Sequence, residues 1–461
     1  MSSDPLSSRV DGEATTVGAE AEAAADRHQL AQVSARQIFA LALPALGVLA
    51  AMPLYLLLDT AVVGRLGGFE LAALGAAVTI QSQVTTQLTF LSYGTTARSS
   101  RLFGAGDRRG AIAEGVQATW VAFFVGAAIA VTMIIGAPWF ALWLSGDQDI
   151  ADAATQWLRA AALAVPLVLV IMAGNGWLRG IQNTRLPLYF TLAGVIPGAV
   201  LIPVFVHYFG LVGSAYANVI AEGITALLFL IALVKHHEGS WKPRWLVIRR
   251  QLSLGRDLIM RSLSFQVAFL SAAAVAARFG TSSLAAHQVM LQLWNFITLV
   301  LDSLAIAAQT LTGAALGAGS AQLARKVGTR VIMYSIVFAG VLGVIFALLH
   351  QVIPRIFTQD ETVLDTINNP WWIMIVMIIL GGVVFAIDGV LLGASDAVFL
   401  RNASIMAVLA GFLPGVWISY LLDGGLTGVW CGLLAFIVIR MFAVVWRFRS
   451  MRWARAGASV S

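Results

Sequence analysis

The chain is a series of long apolar blocks broken by short polar loops, with most of its charges crowded into those loops. A helix that crosses a bilayer needs about 20 largely apolar residues. On that measure six spans are predicted at 38–64, 71–97, 111–137, 155–178, 187–207 and 213–234. Six more follow a polar, basic connector, at 258–279, 288–316, 331–352, 371–392, 403–422 and 426–446. The pattern predicts an all-α polytopic membrane protein with twelve transmembrane helices in two six-helix lobes. It divides into a polar tail (1–37), a first lobe (38–236), a connector (237–257), a second lobe (258–447) and a basic tail (448–461). The first tail lacks the basic start and apolar core of a secretory signal. It is expected to be disordered and cytoplasmic.

The lobes carry one internal repeat. A shift of 213 residues places Arg278, Gly280 and Leu284-Ala285-Ala286 on Arg65, Gly67 and Leu71-Ala72-Ala73. Without a gap it also places Gly317-Ala318-Gly319 on Gly104-Ala105-Gly106, Asp388-Gly389 on Asn175-Gly176, and Asp396 on Asn183. A register held over that distance marks a duplication. Six spans per repeat give both lobes one orientation, so a pseudo-two-fold axis along the membrane normal is expected between them. A bundle of this kind leaves a central cavity and suits alternating access.

Charge sets the orientation. Arg98, Arg101, Arg108 and Arg109 follow the second span, Arg185 the fourth, and Arg325, Lys326 and Arg330 the eighth. Arg401 follows the tenth, and Arg447, Arg449, Arg452 and Arg455 the twelfth. The alternate loops are acidic or nearly neutral, as at Asp147, Asp149 and Asp152. Basic loops stay in the cytoplasm, so both termini are expected there, in a bacterial inner membrane. Only 11% of residues are charged and 59% are hydrophobic, where a soluble domain carries about 25% charge. A string of soluble domains is excluded. The net charge of +6 then orients helices in lipid, and no nucleic-acid partner is expected. Cys431 is the single cysteine, which excludes an internal disulfide. No Cys/His metal cluster, phosphate loop, Gly-x-Ser-x-Gly elbow or His-Glu-x-x-His helix occurs. Neither an enzyme nor a cofactor beyond a coupling ion is expected.

The first span, with its surroundings, then carries a family likeness. Leu43-Pro44-Ala45, Pro53-Leu54-Tyr55, Asp59-Thr60-Ala61 and Val63-Gly64-Arg65-Leu66-Gly67 resemble the opening of MATE (multidrug and toxic compound extrusion) transporters. Arg278–His287 resembles the start of their second half, and Asp388–Asp396 resembles the tenth helix of the DinF-like branch. The likeness covers roughly residues 36–447. It implies export of cationic or amphipathic organic compounds against H⁺, with Na⁺ as the alternative ion, by a monomer in the lipid bilayer. A lipid-linked precursor flippase of the wider superfamily is the rival reading. The chain departs from the family at Gly198–Ile202, where many relatives carry an Asn-x-x-x-Asp pair, and in 258–278, which holds no carboxylate. Asn183 stands where relatives often have Asp. These departures weigh against Na⁺.

Candidate chemistry comes from both sources. Asp59 lies inside a span and does not repeat, since position 272 is alanine. An ionised carboxylate is costly there and by default marks a pathway. It is read as a proton carrier; the alternative is a packing acid paired with Tyr55 or an arginine. Pro44 and Pro53 each remove a backbone hydrogen bond and permit that span to bend, or form static kinks. Asp388 matches the family's acid in the second lobe, as a second carrier or as a partner of Arg261. Gln81, Thr85 and Thr89 in the second span, with Gln288, Gln292, Trp294 and Asn295 in the eighth, are read as cavity lining, as is Tyr55. The repeat pairs Ser82 with Asn295 and Thr89 with Asp302. Asp302 is counted with the lining but, like Glu222 supported by Asn218, is weighed as a structural or cytoplasm-facing acid.

Overall fold

The computed structural model describes residues 33–457, so most of the expected 1–37 tail lies outside the described residues. Among these, every regular element is helical. The first lobe comprises α1 (Ala35–Gly64), α2 (Gly68–Leu88), α3 (Phe90–Gly104), α4 (Arg108–Ser145), α5 (Gln148–Ala161), α6 (Ala164–Gly180), α7 (Arg185–Phe209) and α8 (Leu211–His236). The second comprises α9 (Trp245–Arg278), α10 (Thr281–Gly317), α11 (Ala321–Leu348), the short α12 (Ile353–Phe357) and α13 (Glu361–Gly393). It is completed by α14 (Ala397–Ala407), a π turn (Val408–Phe412), α15 (Leu413–Leu421) and α16 (Gly425–Arg449). Among the described residues ten helices are long and apolar enough to cross a membrane, and the bent pair α5–α6 makes an eleventh. The remaining span is α2–α3, less apolar because it carries the glutamines and threonines of the second predicted span.

Two departures from the predicted spans have local causes. The fourth span, predicted as one helix, is α5 and α6 with a 46° bend. Pro166 has no N–H to offer the Ala162 carbonyl, which weakens the ladder at the break. The seventh span starts at Trp245, inside the expected connector. That stretch is held against α4. The Arg244 N–H donates to Gln117 Oε1 at 2.7 Å, Trp120 Nε1–H donates to the Trp241 carbonyl at 2.7 Å, and Gln251 donates to Glu114.

The duplication seen in the sequence recurs in the backbone. Gly67 and Gly280 share positive φ (151° and 114°), as do Gly106 and Gly319 (84° and 85°). So do the non-glycine pair Gln182 and Ser395 (62° and 61°). Helix caps repeat as well. Asp107 caps α4 and its mate Ser320 caps α11, each accepting from the N–H three residues on. Asp147 and its mate Asp360 cap α5 and α13. In each lobe the fourth span of the repeat packs on the second at the same glycine. A Cβ on Gly176 would crowd the Ser92 carbonyl, and one on Gly389 the carbonyl of its mate Ala305.

The lobes meet where α3 crosses the end of α10. A Cβ on Gly104 would collide with the Ala314 carbonyl, and one on Gly317 with the carbonyl of Arg101. These two contacts exchange under the repeat. Gly313 faces Ser100, its own mate, so the pseudo-two-fold axis runs between them. Small residues allow this backbone contact in lipid, and it joins the lobes at the arginine-rich end of the bundle, the basic face. Polar contacts reinforce it. Arg101 donates to the carbonyls of Arg455, Gly457 and Ala394. Arg330 donates to the Val33 carbonyl at 2.9 Å.

If this crossing closes and opens during a cycle, cysteines placed on the axis will trap it. In a Cys431→Ala background, Ser100→Cys combined with Gly313→Cys should cross-link under mild oxidation, and transport should stop until the disulfide is reduced. Transport that continues at full rate in the cross-linked protein would mean the crossing is static.

Candidate functional site

The candidate site lies in the first lobe, around α1. This helix runs unbroken through Pro44 and Pro53. Its buried face carries Tyr55 and, one turn later, Asp59, which is 2% exposed. Ser214 on α8 donates its hydroxyl to Asp59 Oδ2 at 2.8 Å. Trp157 on α5 donates Nε1–H to Ser214 Oγ at 3.2 Å. The indole holds the serine oxygen as an acceptor, so the single serine proton goes to Asp59. Oδ2 is therefore an acceptor in either state of the acid, and a proton on Asp59 belongs on Oδ1. That oxygen is buried without a hydrogen-bond partner among the described residues. No ion pair to Asp59 occurs among the described residues.

Tyr55, one turn before this acid, lines the smaller of two adjoining cavities. The smaller, of 150 Å³, is lined by Tyr55, Asn175, Thr191, Asn218 and Glu222 among apolar residues of α1 and α6. Four buried oxygen atoms there have no hydrogen-bond partner among the described residues: Tyr55 Oη, Asn175 Oδ1, Thr191 Oγ1 and Asn218 Oδ1. Such a lining favours polar occupants. The larger cavity, of 370 Å³, is bordered by Gln81, Ser82, Thr85, Thr86 and Thr89. The two share Met52, Val168, Met172, Asn218 and Glu222 as a common wall. Glu222, weighed in the sequence as structural, is thus the carboxylate that borders both. Its i, i+4 spacing from Asn218 was the available signal.

The second lobe is built differently. Asp388 Oδ2 accepts from Arg261 at 2.7 Å and from Arg440, and both guanidinium groups lie over the Phe265 ring. Removing one member of such a buried ion cluster leaves an uncompensated charge, which costs about 3–5 kcal/mol. The geometry is that of a fixed anchor. Arg440 was not singled out in the sequence, although an arginine inside an apolar span was a visible signal. Between the lobes, Tyr93 donates to Asp302 at 2.7 Å, and Gln309 donates to the Tyr93 carbonyl at 2.7 Å. Asp302 therefore lies at the lobe junction.

Of the other expected lining residues on α10, Gln288, Gln292 and Asn295 are exposed. Trp294 is 3% exposed and packs in the apolar core of the second lobe. The expected lining role fails for this residue because positions i and i+2 of a helix do not share a face, so Trp294 points away from Gln292.

A two-lobe helical bundle whose halves cross at one end, with polar cavities inside its first lobe, is the frame of a membrane transporter. The family model described as MatE matches residues 44–204 and 258–417, one copy in each lobe. The chain belongs to that family of transporters, and it is not an enzyme. It is 30% identical to "Protein DETOXIFICATION 44, chloroplastic" of Arabidopsis thaliana, over 89% of this chain and 81% of that protein. It is 28% identical to "DNA damage-inducible protein F" of Escherichia coli, over 82% of this chain and 84% of that protein. Its fold is similar to a solved MATE structure in the bent conformation, with a TM-score of 0.86 at 20% identity, covering 93% of this chain and 98% of that one.

The cavity assignment predicts a labelling pattern. In a Cys431→Ala background, single cysteines at Ser82, Thr89 and Asn295 should react with a small hydrophilic thiol reagent. Cysteines at Leu57 and Val131, which are 67% and 55% exposed on apolar helix faces, should stay unlabelled in the membrane. Equal labelling at all five positions would show that the two surfaces have been confused.

Proposed function

We propose that this transporter is a secondary antiporter that exports cationic or amphipathic organic compounds in exchange for H⁺. It acts as a monomer in a bacterial inner membrane, with the basic face and both termini cytoplasmic. The observation that supports this best is the setting of Asp59, a buried acid held by one neutral hydroxyl and facing no cation among the described residues. Such a carboxyl changes charge without breaking an ion pair. Protonated, it is a neutral group that the lobe can enclose. Ionised, it needs water or a cationic substrate near the cavities that Glu222 borders. Proton and substrate cation thereby compete for one negative charge, which is the requirement for exchange. Asp388, clasped by two arginines, serves as the charge anchor of the second lobe. Pro44 and Pro53 leave α1 with fewer backbone hydrogen bonds to break if it bends.

The amide Asp59→Asn tests this reading. It keeps the size and the acceptor for Ser214 but cannot titrate. In everted vesicles of equal expression, dye transport driven by ΔpH should fall to background in Asp59→Asn and fall less in Asp388→Asn. A Na⁺ gradient alone should drive little transport. Wild-type ΔpH-driven transport by Asp59→Asn would contradict the proton assignment, and a strict Na⁺ requirement would replace the ion.

A further inference from the structure

The basic face holds a second site that the transport cavity does not use. After α16 the chain turns sharply at Met451, a non-glycine residue with φ of 56°. The turn brings Trp453 back onto Phe448, with ring centroids 5.4 Å apart and planes within 12°, and buries it to 2% exposure. Arg101 of the first lobe fixes the next few residues of the tail by donating to the carbonyls of Arg455 and Gly457. The tail is therefore held in a defined position. Between it and the start of α14 lies a pocket of 430 Å³ whose charged lining is Asp396, Arg447, Arg452 and Arg455.

The charges in this pocket do not balance. Arg447 is committed to Asp396 through two hydrogen bonds, at 2.7 and 3.2 Å. Arg452 lies over the Trp446 ring at 5.6 Å. Neither Arg452 nor Arg455 has a carboxylate partner among the described residues. Two exposed guanidinium groups beside a fixed ion pair make a site for a phosphate, which guanidinium binds through paired hydrogen bonds.

A second feature identifies the carrier of that phosphate. Asn402 lines the basic pocket and also opens a groove of 510 Å³ that runs along Ile405, Met406, Leu409 and Ala410. Met406 and Leu409 are exposed apolar side chains on a membrane-spanning element. Trp446, exposed on the neighbouring helix, is the kind of aromatic that sits at headgroup level. A cationic pocket continuous with an apolar, lipid-facing groove has the shape of an amphipathic ligand. We propose that this face binds an anionic phospholipid, with its phosphate at Arg452 and Arg455 and one acyl chain along 405–410. Because Arg101 ties the same tail to the first lobe, the bound lipid also steadies the closed crossing at the basic face.

The test uses the full chain in nanodiscs of phosphatidylcholine, with or without phosphatidylglycerol, and a third arm with phosphatidylcholine plus soluble glycerophosphate. Native mass spectrometry reads retained lipid, and tryptophan fluorescence reads the unfolding temperature. Phosphatidylglycerol should be retained and should raise the unfolding temperature. The pair Arg452→Gln with Arg455→Gln should weaken retention by about 25-fold, roughly fivefold per surface arginine, while stability in phosphatidylcholine alone is unchanged. Arg449→Gln, an arginine outside the pocket, should behave as wild type. An equal shift with glycerophosphate would make this a free-anion site and overturn the lipid assignment. Undiminished phosphatidylglycerol retention by the double variant would overturn the pocket itself.

Discussion

The molecule depends on one close crossing of two helices. Hydrocarbon supplies no hydrophobic drive between helices, so association in a membrane rests on packing and polar contacts. At Gly104, Ser100, Gly313 and Gly317 the side chains are small enough for α3 and α10 to meet backbone to backbone. That contact lies on the pseudo-two-fold axis, which makes it self-complementary, as the contact of a symmetric dimer is. Tyr93 with Asp302 and Arg101 with the tail carbonyls add hydrogen bonds around it. The lobes are joined here, and the polar cavities are lined by residues of the first lobe.

The two lobes share a backbone plan but handle buried charge in opposite ways. A carboxylate in the middle of a bilayer is costly, by about 2.5–3.5 kcal/mol on insertion scales. Asp388 meets that cost with two guanidinium groups. Among the described residues Asp59 has only the Ser214 hydroxyl, itself oriented by Trp157. Divergence after duplication thus left one lobe with a buried ion cluster and the other with a buried acid that has no ion-pair partner among the described residues. The repeat position of Asp59 is Ala272, fully buried in the second lobe, so the asymmetry is built into the packing.

Much of the frame could be read from the sequence because hydropathy and turn geometry are local properties. The 213-residue register recurs in φ angles at Gly67 and Gly280, and at Gln182 and Ser395, because those positions need left-handed backbone in either copy. The bend at Pro166 was less legible, since one apolar block covers both pieces. The site was legible in parts only. Asp59 is visible as an acid in an apolar run, but Ser214 and Trp157 lie 155 and 98 residues away and come together only through packing of α1, α5 and α8. Trp294 looks like lining by its residue type, but helical phase turns it from Gln292 into the apolar core. Glu222 was undervalued because its importance lies in bordering two cavities, which no single helix reveals.

The central claim is that substrate and proton compete for the carboxylate of Asp59. It is tested most directly by following pH in weakly buffered solution while a permanently charged organic cation such as ethidium is added to purified protein near neutral pH. Wild-type protein should release protons on binding, and Asp59→Asn should bind the cation without releasing any. Equal proton release from both proteins would place the exchanging proton elsewhere and contradict the account.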